Sequence, residues 1–159
     1  MARTLRKIRW LNWKSVSALA LVVVVGIVWM LRGGLSPVSL ERIDAAEALW
    51  RQAAIRDYDM QVETAGAQQG LYALVVRDGA LRSIERDGIK AAPADGAYWT
   101  VEGLFRTLRR ELQMAEQSMA KTIILARFDR TRGYPVAFLR QVTGSTRSVS
   151  VEVVLFRAR

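Results

Sequence analysis

Carboxylates are the main side chains of this sequence that could carry out acid–base or metal chemistry, because the chain contains no histidine and no cysteine. Those two absences exclude Ser-His-Asp and Cys-His nucleophiles, zinc sites of the usual ligand set, and haem attachment. The sequence also lacks a P-loop, a G-x-G-x-x-G motif and an EF-hand loop. We therefore predict no cofactor, no metal site and no catalytic residue.

Asp57 and Asp59 are the best-placed pair of carboxylates, on either side of Tyr58 at the start of a predicted strand. Alternate residues of a strand share a face, so the two acids would lie side by side. Such a pair could bind a divalent cation or act as acid and base. We favour the plainer interpretation, in which Asp57 follows a helix and both acids are solvated, because functional carboxylates usually need more partners.

The turn Gly133-Tyr134-Pro135 is a second candidate, because exposed aromatic turns can be recognition points. The alternative is that Tyr134 closes the end of the sheet and the turn sets hairpin register. We favour that alternative, since Gly and Pro are ordinary hairpin residues.

Arginines on one helix face are a third candidate, namely Arg106, Arg109 and Arg110, with Arg127, Arg130 and Arg132 as possible additions. Guanidinium groups could bind an acidic partner, a lipid headgroup or a polyanion. Charged helix faces are more often simply solvated, and nearby glutamates reduce the net positive charge of this face.

The elements that must position these residues follow from hydrophobic periodicity. Helical spacing predicts helices at 39–55 and from Thr100 to about Met119, with Ser39 and Thr100 as N-caps. Alternating or continuous apolar runs predict strands at 58–64, 71–76, 81–86, 122–128, 136–142 and 149–156. Residues 89–97 read as a loop. The predicted class is α+β, with the order helix–three strands–helix–three strands and an antiparallel sheet covered on one face by two helices.

Four groups of residues, in this order, resemble a known family: Trp50 with Asp57-Tyr58-Asp59, then Gly70 to Gly79, then Thr100 to Phe105, then Arg127 to Pro135. The set resembles DUF6174, a small bacterial domain of unknown function, over roughly residues 45–156. The resemblance implies no activity, cofactor or catalytic residue. It also associates a cysteine pair with many relatives, and the absence of cysteine here excludes a thiol-redox role.

The N-terminal residues predict a membrane anchor, because an uncharged apolar run, 15–31, follows a basic arm, 1–14. A short linker, 32–38, would join this transmembrane helix to an extracytoplasmic domain, 39–159. Basic and aromatic residues suited to the membrane interface flank the run: Arg6, Lys7, Arg9, Trp10, Trp13, Lys14 and Arg32. A cleaved signal peptide, giving a secreted form, is the alternative, but no A-x-A site follows the run.

The net charge of +9 is concentrated in the N-terminal region. Residues 1–34 carry six of the 24 basic groups and none of the 15 acidic ones, which leaves 18 basic against 15 acidic groups elsewhere. The basic arm places the N-terminus in the cytoplasm and the domain in the periplasm or outside. Because the high pI is largely a property of the anchor, we do not expect nucleic-acid binding.

We therefore expect a single-pass protein of the bacterial cytoplasmic membrane. Its domain would bind an envelope protein or ligand. The alternative is a carboxylate-dependent, glycan-directed hydrolase, which needs two carboxyls about 5–10 Å apart across a cleft.

Overall fold

The computed structural model describes residues 34–66, 69–145 and 148–159. The predicted arm and transmembrane helix, 1–14 and 15–31, lie outside these residues. Within the described ranges, no helix has the length and apolar character needed to cross a membrane.

An eight-stranded sheet organises the described residues, in the order β1-β6-β7-β8-β2-β3-β4-β5. All neighbouring strands are antiparallel. The strands are β1 Ser36–Pro37, β2 Tyr58–Gly66, β3 Gly70–Arg77, β4 Ala80–Arg86, β5 Ile89–Ala91, β6 Thr122–Phe128, β7 Pro135–Val142 and β8 Ser148–Ala158. The helices are α1 Leu40–Ala53, α2 Pro93–Gly96 and α3 Val101–Gln117.

The α+β class and the six predicted strands are confirmed, but the predicted element order is incomplete. The predicted loop 89–97 contains β5 and the one-turn helix α2, and the predicted linker contains β1. These elements have two to four residues each, which is too short for a period to show in the sequence.

Both long helices begin at the predicted caps. The Ser39 hydroxyl accepts from the Arg42 N–H at 3.3 Å, and the Thr100 hydroxyl accepts from the Gly103 N–H at 3.1 Å. The predicted C-terminal extension of the second helix is wrong, because α3 ends at Gln117 and Met119 is fully exposed.

The core lies between one face of the sheet and the two long helices. Every second residue of β2 is buried from Tyr58 to Thr64, as alternation requires. α1 contributes Ile43, Ala46 and Trp50 to this core, and α3 contributes a second group that includes Leu104, Phe105 and Leu108. The structure therefore agrees with the expectation that the two helices bury single apolar stripes in one core.

A β-bulge between β2 and β8 redirects the end of β8. Gln61 faces Leu155 and Val62 faces Val153, so Val154 is the extra residue. The bulge allows both Val153 and Phe156 to pack in the core, although their positions differ by three and regular alternation would place them on opposite faces. It thereby places Phe156 beside the start of β2.

Replacing Gly133 should test how the β6–β7 turn fits against α1. Gly133 has φ +82°, and an added Cβ would lie 2.1 Å from the Ala46 carbonyl oxygen. We expect Gly133→Ala to lower the free energy of unfolding by at least about 3 kcal/mol, because a steric clash adds to the cost of positive φ. Urea unfolding of the purified chain, followed by tryptophan fluorescence, measures it.

Gly79→Ala is the matched control. Gly79 has φ +73°, but nothing lies within 4 Å of an added Cβ. This variant should lose only about 1 kcal/mol. Equal losses for the two variants would show that the turn does not pack against α1 as described.

Candidate anion-binding site

One end of the sheet gathers segments that are far apart in sequence. Because neighbouring strands are antiparallel, the last residues of β3, β6 and β8 and the first residues of β2, β4 and β7 share this end. Three predicted site residues, Asp57, Asp59 and Tyr134, lie here.

Four aromatic rings form the floor of this end. The Phe156 ring stacks on Tyr134 with 4.3 Å between centroids and on Tyr58 with 5.3 Å. Trp50, from α1, meets Tyr58, Tyr134 and Phe156 edge-on at 5.7, 6.4 and 5.9 Å. Edge-on and offset contacts of this kind add to the stabilisation from burial.

The carboxylate of Glu102 fixes two of these rings. It accepts hydrogen bonds from the Trp50 indole N–H at 3.0 Å and from the Tyr58 hydroxyl at 3.3 Å. The Tyr58 oxygen in turn accepts from the Val101 N–H at 3.2 Å. Burial, and then the charge of Glu102, raise the pKa of Tyr58, so this hydroxyl remains a protonated donor.

Four exposed arginines near this end of the sheet are called the arginine cluster: Arg130 and Arg132 in the β6–β7 turn, and Arg157 and Arg159 at the end of β8 and just beyond it. The guanidinium of Arg132 lies 5.8 Å from the centroid of the Phe156 ring. An open cleft of about 360 Å³ is lined by Arg132, Phe156, Arg157, Ala158 and Arg159. Its charged walls and aromatic base suit an anionic group, since guanidinium groups bind phosphate or carboxylate oxygens in pairs.

Asp59 pairs with two arginines, and the favoured interpretation did not include these partners. Its Oδ1 accepts from Arg77 at 2.7 Å, and its Oδ2 accepts from Nε and Nη2 of Arg159 at 2.9 and 2.6 Å. The hydrogen bonds from Arg159 and then Arg77 lower the pKa of Asp59. The carboxylate therefore orients Arg159 beside the cleft.

Asp57 is also engaged, but by a backbone group. Its Oδ1 accepts from the Asp78 N–H at 2.7 Å and so holds the β3–β4 turn. The two acids thus have separate partners and do not converge on one ligand position. Among the described residues, no group of three or more acidic side chains is close enough to hold a metal ion.

Tyr134 is half-buried on the Phe156 ring, which agrees with the interpretation that it closes the end of the sheet. Burial, and then the charge of Asp129, raise its pKa. The Asp129 carboxylate accepts from the backbone N–H groups of Thr131 and Arg132 at 3.0 and 2.6 Å. These bonds organise the turn that presents Arg130 and Arg132.

The predicted arginine face of α3 is not brought to this cleft. Arg109 pairs with Asp44 at 2.7 Å and with Glu47, so it joins α3 to α1. Burial opposes ionisation of Glu47, but hydrogen bonds from Arg51 and Arg109 outweigh it and lower the pKa of Glu47.

The other members of that face separate as well. Arg106 donates to the Ala97 carbonyl at 3.3 Å, and Arg110 is exposed. Arg127 lies on the uncovered face of the sheet, 3.6 Å from Glu152. Of the six arginines named from the sequence, only Arg130 and Arg132 belong to the arginine cluster.

Sequence reasoning missed Phe156, Arg157, Arg159 and the role of Glu102. Arg157 and Arg159 alternate along β8, which was a weak signal for a shared face. Glu102 was visible only as an acid in the first turn of a helix, and nothing local indicated its two aromatic donors.

Removing the Tyr58 hydroxyl should destabilise the fold. Tyr58→Phe keeps the ring but deletes both hydrogen bonds of the oxygen, so we expect a loss of about 1–2 kcal/mol in unfolding free energy. Tyr98→Phe is the matched control, since Tyr98 is 62% exposed. Its change should stay within about 0.5 kcal/mol. A Tyr58→Phe variant as stable as the control would contradict the role given to Glu102.

The pH dependence of the unfolding free energy should show the contribution of the Asp59 ion pairs. The folded-state pKa of Asp59 is lowered, so the stabilisation is fully present above the unfolded value of about 3.9 and is lost as pH falls through the folded value. The unfolding free energy of Asp59→Asn should therefore fall less than that of the wild type between about pH 5 and pH 2.

The difference between the two profiles should be under about 1 kcal/mol, because the arginine partners are partly exposed. Glu116→Gln, at an exposed position of α3, is the control and should follow the wild type. If the Asp59→Asn and wild-type profiles ran parallel, the ion pairs of Asp59 would not contribute to stability.

A family model described as a family of unknown function, DUF6174, matches residues 42–139. The matched range runs from α1 into β7 and includes Asp57, Asp59, Glu102 and Tyr134, while Phe156 to Arg159 lie beyond it. No curated protein and no solved structure matches the chain. Because the match covers more than half of the sequence, the chain belongs to the DUF6174 family.

Proposed function

We propose that the chain is a single-pass membrane protein whose extracytoplasmic α+β domain is a binding module of the bacterial envelope. Its recognition site is the cleft at Arg132, Arg157 and Arg159, and its ligand carries an anionic group. The single observation that carries this proposal is the open cleft, which is lined by Arg132, Arg157 and Arg159 and has the Arg132 guanidinium over the Phe156 ring.

The anchor is supported by the sequence. Residues 15–31 hold no charged side chain, and basic residues with tryptophans flank them. A helix of these 17 residues would be about 25 Å long, slightly shorter than the hydrocarbon core of about 30 Å. An untilted helix could still span the core, because the long basic side chains that flank it can reach the headgroups. The basic arm supports an N-terminus in the cytoplasm.

Binding is favoured over catalysis by what the acids of the cleft do. Asp59 is held between Arg77 and Arg159, and Asp57 holds a backbone N–H group. A glycan hydrolase needs one carboxyl that can give up a proton and a second that stays ionised. The lowered pKa of Asp59 does not suit the first role, so no observation favours the hydrolase.

Binding of inorganic pyrophosphate to the full chain in zwitterionic lipid nanodiscs tests the proposal. We expect Arg132→Glu with Arg157→Glu to weaken the affinity about tenfold or more, because charge-assisted hydrogen bonds to the anion are lost. Isothermal titration calorimetry at fixed ionic strength measures the change.

The matched control changes the same net charge elsewhere. Arg110 and Lys121 are exposed, and they lie at the C-terminal half of α3 and just before β6, away from the cleft. Arg110→Glu with Lys121→Glu should bind as the wild type does. Equal weakening in both double variants, or no pyrophosphate binding by the wild type, would overturn the proposal.

A further inference from the structure

We infer that the anionic group bound by the arginine cluster is the phosphate headgroup of an anionic phospholipid, so that this end of the sheet is the membrane-facing surface of the domain. The inference rests on the proposed function and names its ligand. Three features of the described residues carry it: the point where the chain enters the sheet, the charge at that point, and the aromatic floor.

The chain enters the sheet at the same end as the arginine cluster. In β1, Ser36 faces Ala126 and Pro37 faces Leu125 of β6. Because the pairing is antiparallel, tracing the chain backwards from Pro37 leads towards the end of β6. The end of β6 is followed by the turn that carries Arg130 and Arg132.

The distances are short on the scale of a membrane surface. β1 is three strand positions from β8 in the sheet, a separation of about 14 Å. Between Leu31, where the apolar run ends, and Ser36, the chain has only four residues. Five Cα–Cα steps reach about 18 Å when fully extended. The proposed membrane span is therefore followed almost at once in the sequence by the strand that enters this end of the sheet.

The charge at this end matches such a surface. The acids at this end of the sheet are engaged within the protein. Asp129 and Asp57 accept from backbone amides, Asp59 pairs with Arg77 and Arg159, and Glu102 accepts from two side chains of the aromatic floor. All four members of the arginine cluster are exposed to solvent. Arginines beside a membrane are attracted by anionic lipid, and each guanidinium can bind two phosphate oxygens.

The aromatic floor fits the same environment. Phe156 lines the cleft, and Tyr134 stacks on it in a half-buried position. Tyrosine and tryptophan side chains are favoured at the level of the headgroups, because each combines an apolar ring with a polar group. Arg132, which lies over the Phe156 ring, can thus bind a phosphate close to the half-buried Tyr134.

The experiment uses the full chain, which contains no cysteine, so one introduced cysteine is a unique label. Thr131→Cys, in the turn between Arg130 and Arg132, reports on the arginine cluster. Thr143→Cys, in the β7–β8 turn at the opposite end of the sheet, is the matched control position. Each is labelled with a fluorophore and reconstituted in vesicles that contain headgroup spin-labelled lipid.

We expect quenching at position 131 to rise about twofold or more when about a third of the phosphatidylcholine is replaced by phosphatidylglycerol, and to fall again in high salt. Quenching at position 143 should not change. Arg132→Gln with Arg157→Gln should abolish the rise, whereas Arg110→Gln with Lys121→Gln should keep it. Circular dichroism of each variant shows that the fold is retained.

The inference would be overturned if quenching at position 131 did not change with anionic lipid, or if quenching were equal at positions 131 and 143. Retained pyrophosphate binding in that case would leave the proposed function standing with a soluble ligand. Loss of both responses would reject the two together.

Discussion

The hydrogen bonds that Glu102 accepts from Trp50 and Tyr58 hold together the three elements on which the rest of the structure depends. Trp50 belongs to α1, Tyr58 opens β2, and Glu102 lies in the first turn of α3. A hydrogen bond contributes about 0.5–1.5 kcal/mol, and these two join residues 52 and 44 positions apart in the sequence. A carboxylate in the first helical turn is also stabilised by the helix dipole, so one side chain fixes both helices to the sheet.

The hydrogen bonds to Glu102 also determine the position of the arginine cluster. Phe156 stacks on Tyr58, and Tyr134 stacks on Phe156 and meets Trp50 edge-on. The close approach of Gly133 to α1 then sets the β6–β7 turn, and with it Arg132. The cleft is therefore built beside packed rings and beside a turn that the Asp129 carboxylate holds. A preformed site loses little conformational entropy on binding.

The regular parts of the fold could be predicted from sequence because burial leaves a period there. The alternation of β2 and the apolar stripe of α3 are examples, and Ser39 and Thr100 are caps with a simple chemical reason. β1 and β5 could not be predicted, because two or three residues carry no period and their pairing depends on distant strands.

The candidate site was harder to predict because its parts are far apart in sequence. Trp50, Tyr58, Tyr134 and Phe156 come from four separate segments, and only the strand register brings them together. Arg109 was assigned to an exposed helix face, but it lies towards α1, where it pairs with both Asp44 and Glu47. The arginines that do converge, Arg157 and Arg159, stand at the end of β8 without a motif around them.

The central claim is that a membrane-tethered domain lies outside the cytoplasmic membrane, and a topology measurement tests it most directly. A single cysteine at Gln113, exposed on α3, would be treated in cells with a membrane-impermeant maleimide after permeabilising only the outer membrane. Labelling of a full-length band is the predicted result. Labelling of a shorter band would mean that the N-terminal segment is cleaved, and no labelling until the inner membrane is broken would place the domain in the cytoplasm. Either of these results would contradict the claim.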